Sequence, residues 1–184
     1  IRTSDAGVLD STFTQLVPYI DQQGQTQYSP AASYFGAITS LAVLSDKIVV
    51  GGWNPVMYFN GSPTDHNAQF YVLQGTDGAF VGYTHFKGKP TDILALAKRS
   101  DGLAVAGGSF TQLDDGTDAY FYGLSQLDPA NYYRPLASFK PVVGGQADVR
   151  SLALQSDGKL IVGGDFYLAN GVAKNGVARF SGNG

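Results

Sequence analysis

Three times along the chain an apolar run meets a short Ser-Asp turn and a second apolar run that ends in Gly-Gly. The segments read "SLAVLSDKIVVGGW" from Ser40, "ALAKRSDGLAVAGGSF" from Ala95 and "SLALQSDGKLIVGGDF" from Ser151. The doublets Gly51-Gly52, Gly107-Gly108 and Gly163-Gly164 stand 56 residues apart. A period of this size is the mark of an array of supersecondary units and outranks local propensity. Each unit predicts a first strand (Ile38–Leu44, Ile93–Arg99, Val149–Gln155), a tight turn, and a second strand ending at the doublet. A variable loop follows, then a third strand ("QFYVLQ" from Gln69, "YFYGLSQL" from Tyr120, "GVARF" from Gly176). A weaker segment closes each unit at Phe13, Phe86 or Phe139.

Asp-Gly between apolar runs is a strong hairpin signal. Units two and three carry it, whereas unit one has only Ser45-Asp46 and must turn differently. The stretch Asp92–Arg99 has a helical look in isolation, but its register with the other two units makes it a strand. Ile48–Val50 and Leu160–Val162 are continuously apolar, as suits strands covered on both faces. Small sheets stacked face to face around an axis bury strands in this way. The doublet then marks a place where a strand bends or another backbone comes close. On this register Leu41, Leu96 and Leu152 are equivalent core positions, as are Val50, Ala106 and Val162. The expected fold class is all-β: three blade-like antiparallel units of a β-propeller, spanning 1–184, with at most one short helix near Pro30–Phe35.

The quoted "LALQSDGKLIVGGDF" with "NGVAKNGVARF" resembles the delta-60 repeat, a kelch-like β-propeller unit. Unit three is the near match and unit one departs most, with an insertion between Phe13 and Ile38. The resemblance implies a propeller of large secreted or surface proteins, often without catalytic activity, and carries over no functional residue.

Composition sharpens this picture. The 184 residues include 24 Gly, 11 Tyr, 11 Phe and no Cys, and all 15 acidic residues are Asp. Asp favours turns where Glu favours helices. Without Cys there is no disulfide, thiolate metal site or Cys nucleophile. The net charge is -3 and the basic residues are scattered, which argues against a nucleic-acid partner. No apolar run is long enough for a membrane-inserted helix. The two ends share one phase of the repeat, Arg2 matching Arg179 and Ser4 matching Ser181. Closed propellers hold roughly four to eight blades, so three units are expected either to belong to a longer chain, flanked by repeats of the same parent, or to assemble with further copies of themselves.

Four candidate sites emerge. Trp53, Met57, Tyr58 and Phe59, in the unusual loop Trp53–Asn67, have the amphipathic rings of a sugar-stacking or protein-binding surface, against the plainer reading of a loop packed on its own blade. Asp114, Asp115 and Asp118 could hold Ca²⁺, against the plainer reading of a solvated turn; they lack the spacing of a calcium loop. No other cofactor is expected. His66 and His85, assigned to different units and read as surface-loop residues, have no nucleophile-elbow serine; Ser62 and Ser109 complete a triad only on paper. "NGVAKNG" from Asn170 lacks the G-K-[ST] of a phosphate loop. The leading expectation is a non-enzymatic extracellular or cell-surface module, of bacterial type, for adhesion, binding or scaffolding of a protein or glycan. The alternatives are part of a propeller enzyme with a hydrolase-like axial site completed by other blades, and a self-assembling surface subunit. Far-UV circular dichroism should show a β-dominated spectrum; a helical double minimum would refute the strand assignment.

Overall fold

The computed structural model describes residues 2–3, 9–13, 16–20, 23, 25–30, 37–53, 56–59, 62–87, 92–113, 122–128, 133–136, 138–139, 141–144 and 148–182. Every regular element among them is a β-strand. The three units form three antiparallel sheets, each starting with the predicted hairpin. Blade one pairs Ala37–Val43, Lys47–Trp53, Ser62–Gln74 and Phe80–Lys87 in that order. Blade two pairs Ile93–Lys98, Ala104–Gly108, Leu124–Asp128 and Arg134–Pro135. Blade three pairs Asp148–Leu154, Leu160–Asp165 and Val177–Phe180. The sheets are separate and stack face to face, with the first strands of neighbouring blades closest together. This is the architecture of β-propeller blades.

The turns follow the local chemistry. In blades two and three Gly102 and Gly158 have φ of 85° and 80°. The Asp side chain of each turn accepts a hydrogen bond two residues on, Leu103 N to Asp101 Oδ1 at 3.1 Å and Lys159 N to Asp157 Oδ1 at 3.1 Å. Positive φ at the last residue of a three-residue hairpin is the glycine position. Blade one lacks that glycine and uses a two-residue loop, closed by Leu44 N to Lys47 O at 2.8 Å.

The second glycine of every doublet, and the first in blades one and two, leave no room for a side chain, for different reasons. The first strand of every blade carries a bulge at the same place, between Ile38/Ser40, Ile93/Ala95 and Val149/Ser151. The bulge pushes a carbonyl at the second glycine. A Cβ on Gly52, Gly108 or Gly164 would lie 2.5, 1.8 or 2.0 Å from the oxygen of Ala37, Asp92 or Asp148. The first glycine faces the following blade. A Cβ on Gly51 would lie 2.5 Å from Ile93 Cγ2, and one on Gly107 would lie 2.5 Å from Val149 Cγ1. Each missing side chain is thus a hollow that receives the β-branched knob of the next blade.

Strand alternation sorts the remaining residues into two faces. The front face of each blade looks toward the preceding blade and the back face toward the following one. Blade one contributes Ala42, Val49, Phe70 and Val72 from its back to a core that also holds Ile93, Ala104, Ala106 and Leu127 from the front of blade two. Blade two contributes Val105 and Leu124 from its back to a second core with Val149, Leu160, Val162, Ala178 and Phe180 from the front of blade three.

The repeat therefore places Val50, Ala106 and Val162 correctly, all three buried. The leucine expectation needs correction. Leu96 and Leu152 are only half-buried, packed against the two inter-blade cores, and Leu41 is 59% exposed. The reason is positional: Leu41 is on the front face of blade one, where no described residue forms a preceding blade. The insertion before blade one contains a hairpin, Leu16–Ile20 with Thr26–Pro30. Pro30 closes that strand, and the rest of the expected helix, 31–35, lies outside the described residues.

Gly107→Ala should destabilise the chain by about 1–3 kcal/mol, the cost of overpacking a closed contact. In the single chain, at a dilution at which copies do not associate, Gly163→Ala should stay within about 0.5 kcal/mol, because its Cβ would there meet only the rotatable Ser151 Oγ of its own blade. Denaturant titration compares the two; equal costs would mean that the doublet acts only within a blade.

Candidate functional site

Two groups of residues stand out from the packed interior. The first is the front face of blade one. Ile38, Leu41 and Val43 on the first strand are 53, 59 and 64% exposed. Behind them Val50, Tyr71 and Leu73 form a small buried cluster flanked by Phe13, Ile48 and Phe80. All of these but Phe80 border a groove of about 600 Å³, walled at one end by Ser45, Asp46 and Lys47. The Lys47 ammonium pairs with the Asp46 carboxylate beside it and holds that carboxyl below its usual range. The groove is therefore apolar with one small, internally neutralised polar end.

The second group lies where the first strands begin, on the side on which the blades converge. Arg150 donates to Asp165 Oδ2 at 2.7 Å and to Asp148 Oδ2 at 2.9 Å, clamping the start of one strand to the end of the next in blade three. Asp92 holds the position in blade two that Asp148 holds in blade three, 56 residues earlier. Its backbone N–H donates to Ser109 Oγ at 3.1 Å, and Ser109 N–H returns a bond to the Asp92 carbonyl at 3.0 Å. Burial pushes the Asp92 carboxyl above its ordinary value, and the Asp148 charge adds to the push. The Asp92 carboxyl thus feels the charge of a carboxylate on the next blade.

The residues singled out from sequence fall elsewhere. Trp53 ends the second strand of blade one, with its Cα opposite Ala37. Met57, Tyr58 and Phe59 lie on a strand, Val56–Phe59, paired with the start of Ser62–Gln74. The segment read as a loop is a β-hairpin extension of blade one. Asp114, Asp115 and Asp118 lie outside the described residues. Among the described residues no group of three or more His, Cys, Asp or Glu side chains is placed to hold a metal. His66 and His85 are not in loops or in different units. Both sit on adjacent strands of blade one, where His85 pairs with Ala68. Ser109 Oγ accepts the Asp92 N–H, so it is tied to the bulge backbone. In "NGVAKNG", Asn170 and Gly171, with φ of 47° and 78°, join the short strands Leu168–Ala169 and Val172–Ala173. These are the paired left-handed residues of a two-residue hairpin turn.

The sheets, the doublets and the inter-blade cores define a β-propeller repeat protein. Residues 155–184, from the turn of blade three through its last strand, match the model of a β-propeller domain of unknown function (DUF5122). No curated protein matches the chain.

Sequence reading passed over Asp92 and Asp148, although their 56-residue spacing was available as a signal. It also passed over the open groove, because equivalence to Leu96 and Leu152 implies burial. The Asp92–Asp148 coupling has a pH consequence. A carboxyl whose pKa is raised on folding binds more protons in the folded state than in the unfolded one, so stability falls as pH rises from 3.8 through the raised value. Carboxyl NMR titration should place Asp92 above its ordinary range. Asp148→Asn should bring it down only part way, since burial is the larger cause. An unchanged Asp92 titration in that variant would remove the coupling.

Proposed function

We propose that the chain is a non-enzymatic β-propeller module of an extracellular or cell-surface protein, of bacterial type, that works by binding or scaffolding. The resemblance of the repeat to delta-60, kelch-like units supports the setting. The observation that carries the reading is the apolar front face of blade one, with Ile38, Leu41 and Val43 exposed around a preformed groove. Contiguous exposed apolar surface on a folded protein marks an interaction site. The polar end formed by Asp46 and Lys47 is already paired, so shape and apolar area would select the partner. This reading requires no cofactor.

A second reading has a specific observation behind it. Asp92, raised by burial and by Asp148, sits near the Arg150 clamp on the converging side of the blades, where a propeller enzyme completed by other blades would place an axial carboxylate. Chromogenic ester, glycoside and phosphate substrates separate the two. Turnover lost in both Asp92→Asn and Asp148→Asn would establish the enzyme reading and overturn the first.

The binding reading has its own test. At high protein dilution, the apolar dye 1-anilinonaphthalene-8-sulfonate should fluoresce with the native chain. Leu41→Asp with Val43→Asp should remove most of that signal while leaving the circular dichroism and cooperative unfolding intact. Dye fluorescence unaffected by these substitutions would mean that the face is not an accessible site.

A further inference from the structure

The open front face of blade one has a counterpart on the same molecule. The back face of blade three carries Ala153, Ile161, Gly163, Val177 and Arg179, the positions that Ala42, Val49, Gly51, Phe70 and Val72 occupy in blade one. Phe70, Leu124 and Val177 are equivalent third-strand residues. The first two are fully buried against the following blade, and Val177 is 62% exposed. The hollow is open too. Gly51 receives Ile93 and Gly107 receives Val149, but a Cβ on Gly163 would meet only Ser151 Oγ and Cβ and, at 4.0 Å, the Gly176 carbonyl, all of its own blade. At the other end Ile38, the equivalent of Ile93 and Val149, is a knob without a hollow.

We propose that these two faces are the halves of one interface, and that the front face of blade one is occupied by the back face of blade three from a second copy of the chain. Ile38 of one copy enters the hollow at Gly163 of the other, and Val177 covers the groove at Leu41 and Val50. This rests on the groove being the binding surface proposed above and names its occupant. The argument is continuity: the chain already builds this interface twice, between blades one and two and between blades two and three, with the same knob, hollow and apolar strand residues at corresponding positions. The unmatched faces are therefore complementary in pattern, apolar against apolar. Arg179 and Asp165 are charges the back face adds; Asp165 is paired with Arg150, and Asp157 lies close enough to Arg179 to feel it. The contact is heterologous, which makes a ring if the rotation closes. Two copies joined at both ends hold six blades, within the roughly four to eight of closed propellers.

The test is sedimentation velocity on the 184-residue chain across the micromolar range. The expected result is a species of twice the 19.4 kDa protomer mass. Ile38→Asp spoils only the front face and Val177→Asp only the back face. Each position is exposed in the single chain, so each variant should keep its circular dichroism and cooperative unfolding. Gly163→Leu, which fills the hollow, is an independent third variant. Each alone should sediment as a protomer. Mixed, Ile38→Asp and Val177→Asp should regain a one-to-one pair, because each still holds the half that the other lacks. A wild-type chain that stays a protomer throughout the range, single variants that pair like wild type, or a mixture that fails to pair would each overturn the proposal. If dye binding at high dilution persists while the wild type never pairs, the groove stands as a site and only its occupant is wrong.

Discussion

The seating of a β-branched side chain in the hollow of a glycine on the preceding blade is the contact on which the rest of the structure depends. At Gly107 a single added carbon would lie 2.5 Å from Val149, far inside van der Waals distance. The blades are thus close enough for the apolar strand residues around the hollow to touch. Without that approach Phe70, Leu124 and the valines beside them would face a gap, and voids in a packed core forfeit most of the dispersion energy of their lining. The neighbouring glycine answers to a different neighbour, the bulge carbonyl of its own first strand. A two-residue motif therefore joins the shape of a blade to the stacking of blades.

That division of labour explains where the molecule is inert and where it is not. Blade two is covered on both sides, and its second strand, Ala104–Gly108, is buried throughout. Blade one is covered on its back and open on its front; blade three is the reverse. Among the described residues, apolar side chains equivalent to core residues are exposed on these two faces. The polar group on the converging side has a different origin. Asp92 precedes and Asp148 begins the first strand of its blade, and Arg150 pairs with the Asp148 and Asp165 carboxylates in blade three.

The fold was legible because the doublet repeats at a fixed spacing, and a repeated local motif reports a repeated local geometry. The first two strands of each blade and the change of turn in blade one could be read directly, since a missing turn glycine leaves few hairpin geometries. Other features were not legible. Equivalence in a repeat predicts the direction a side chain points, not whether something stands opposite it, so Leu41 was read as core. The pairing of Val56–Phe59 with the first residues of Ser62–Gln74 falls in the stretch Trp53–Asn67 that was read as a loop, because "NGSPTDHN" has neither alternation nor apolar content. Its strands are recognised by their pairing with one another, which the local pattern does not announce. The Asn170-Gly171 turn was written in the sequence, but it was weighed only as a phosphate motif. The carboxylates at 92 and 148 were hidden among 15 aspartates, most of which looked like turn formers, and only their relation across the blade boundary distinguishes them.

The measurement that bears most directly on this account is a double-mutant cycle between Gly107 and Val149, read by denaturant unfolding. If the glycine is a hollow for the valine, Gly107→Ala should cost much less in a Val149→Ala background than alone, with a coupling of about 0.5–3 kcal/mol. Costs that simply add would show that the two residues do not meet across the blade boundary, and the interface built on that contact would fail with it.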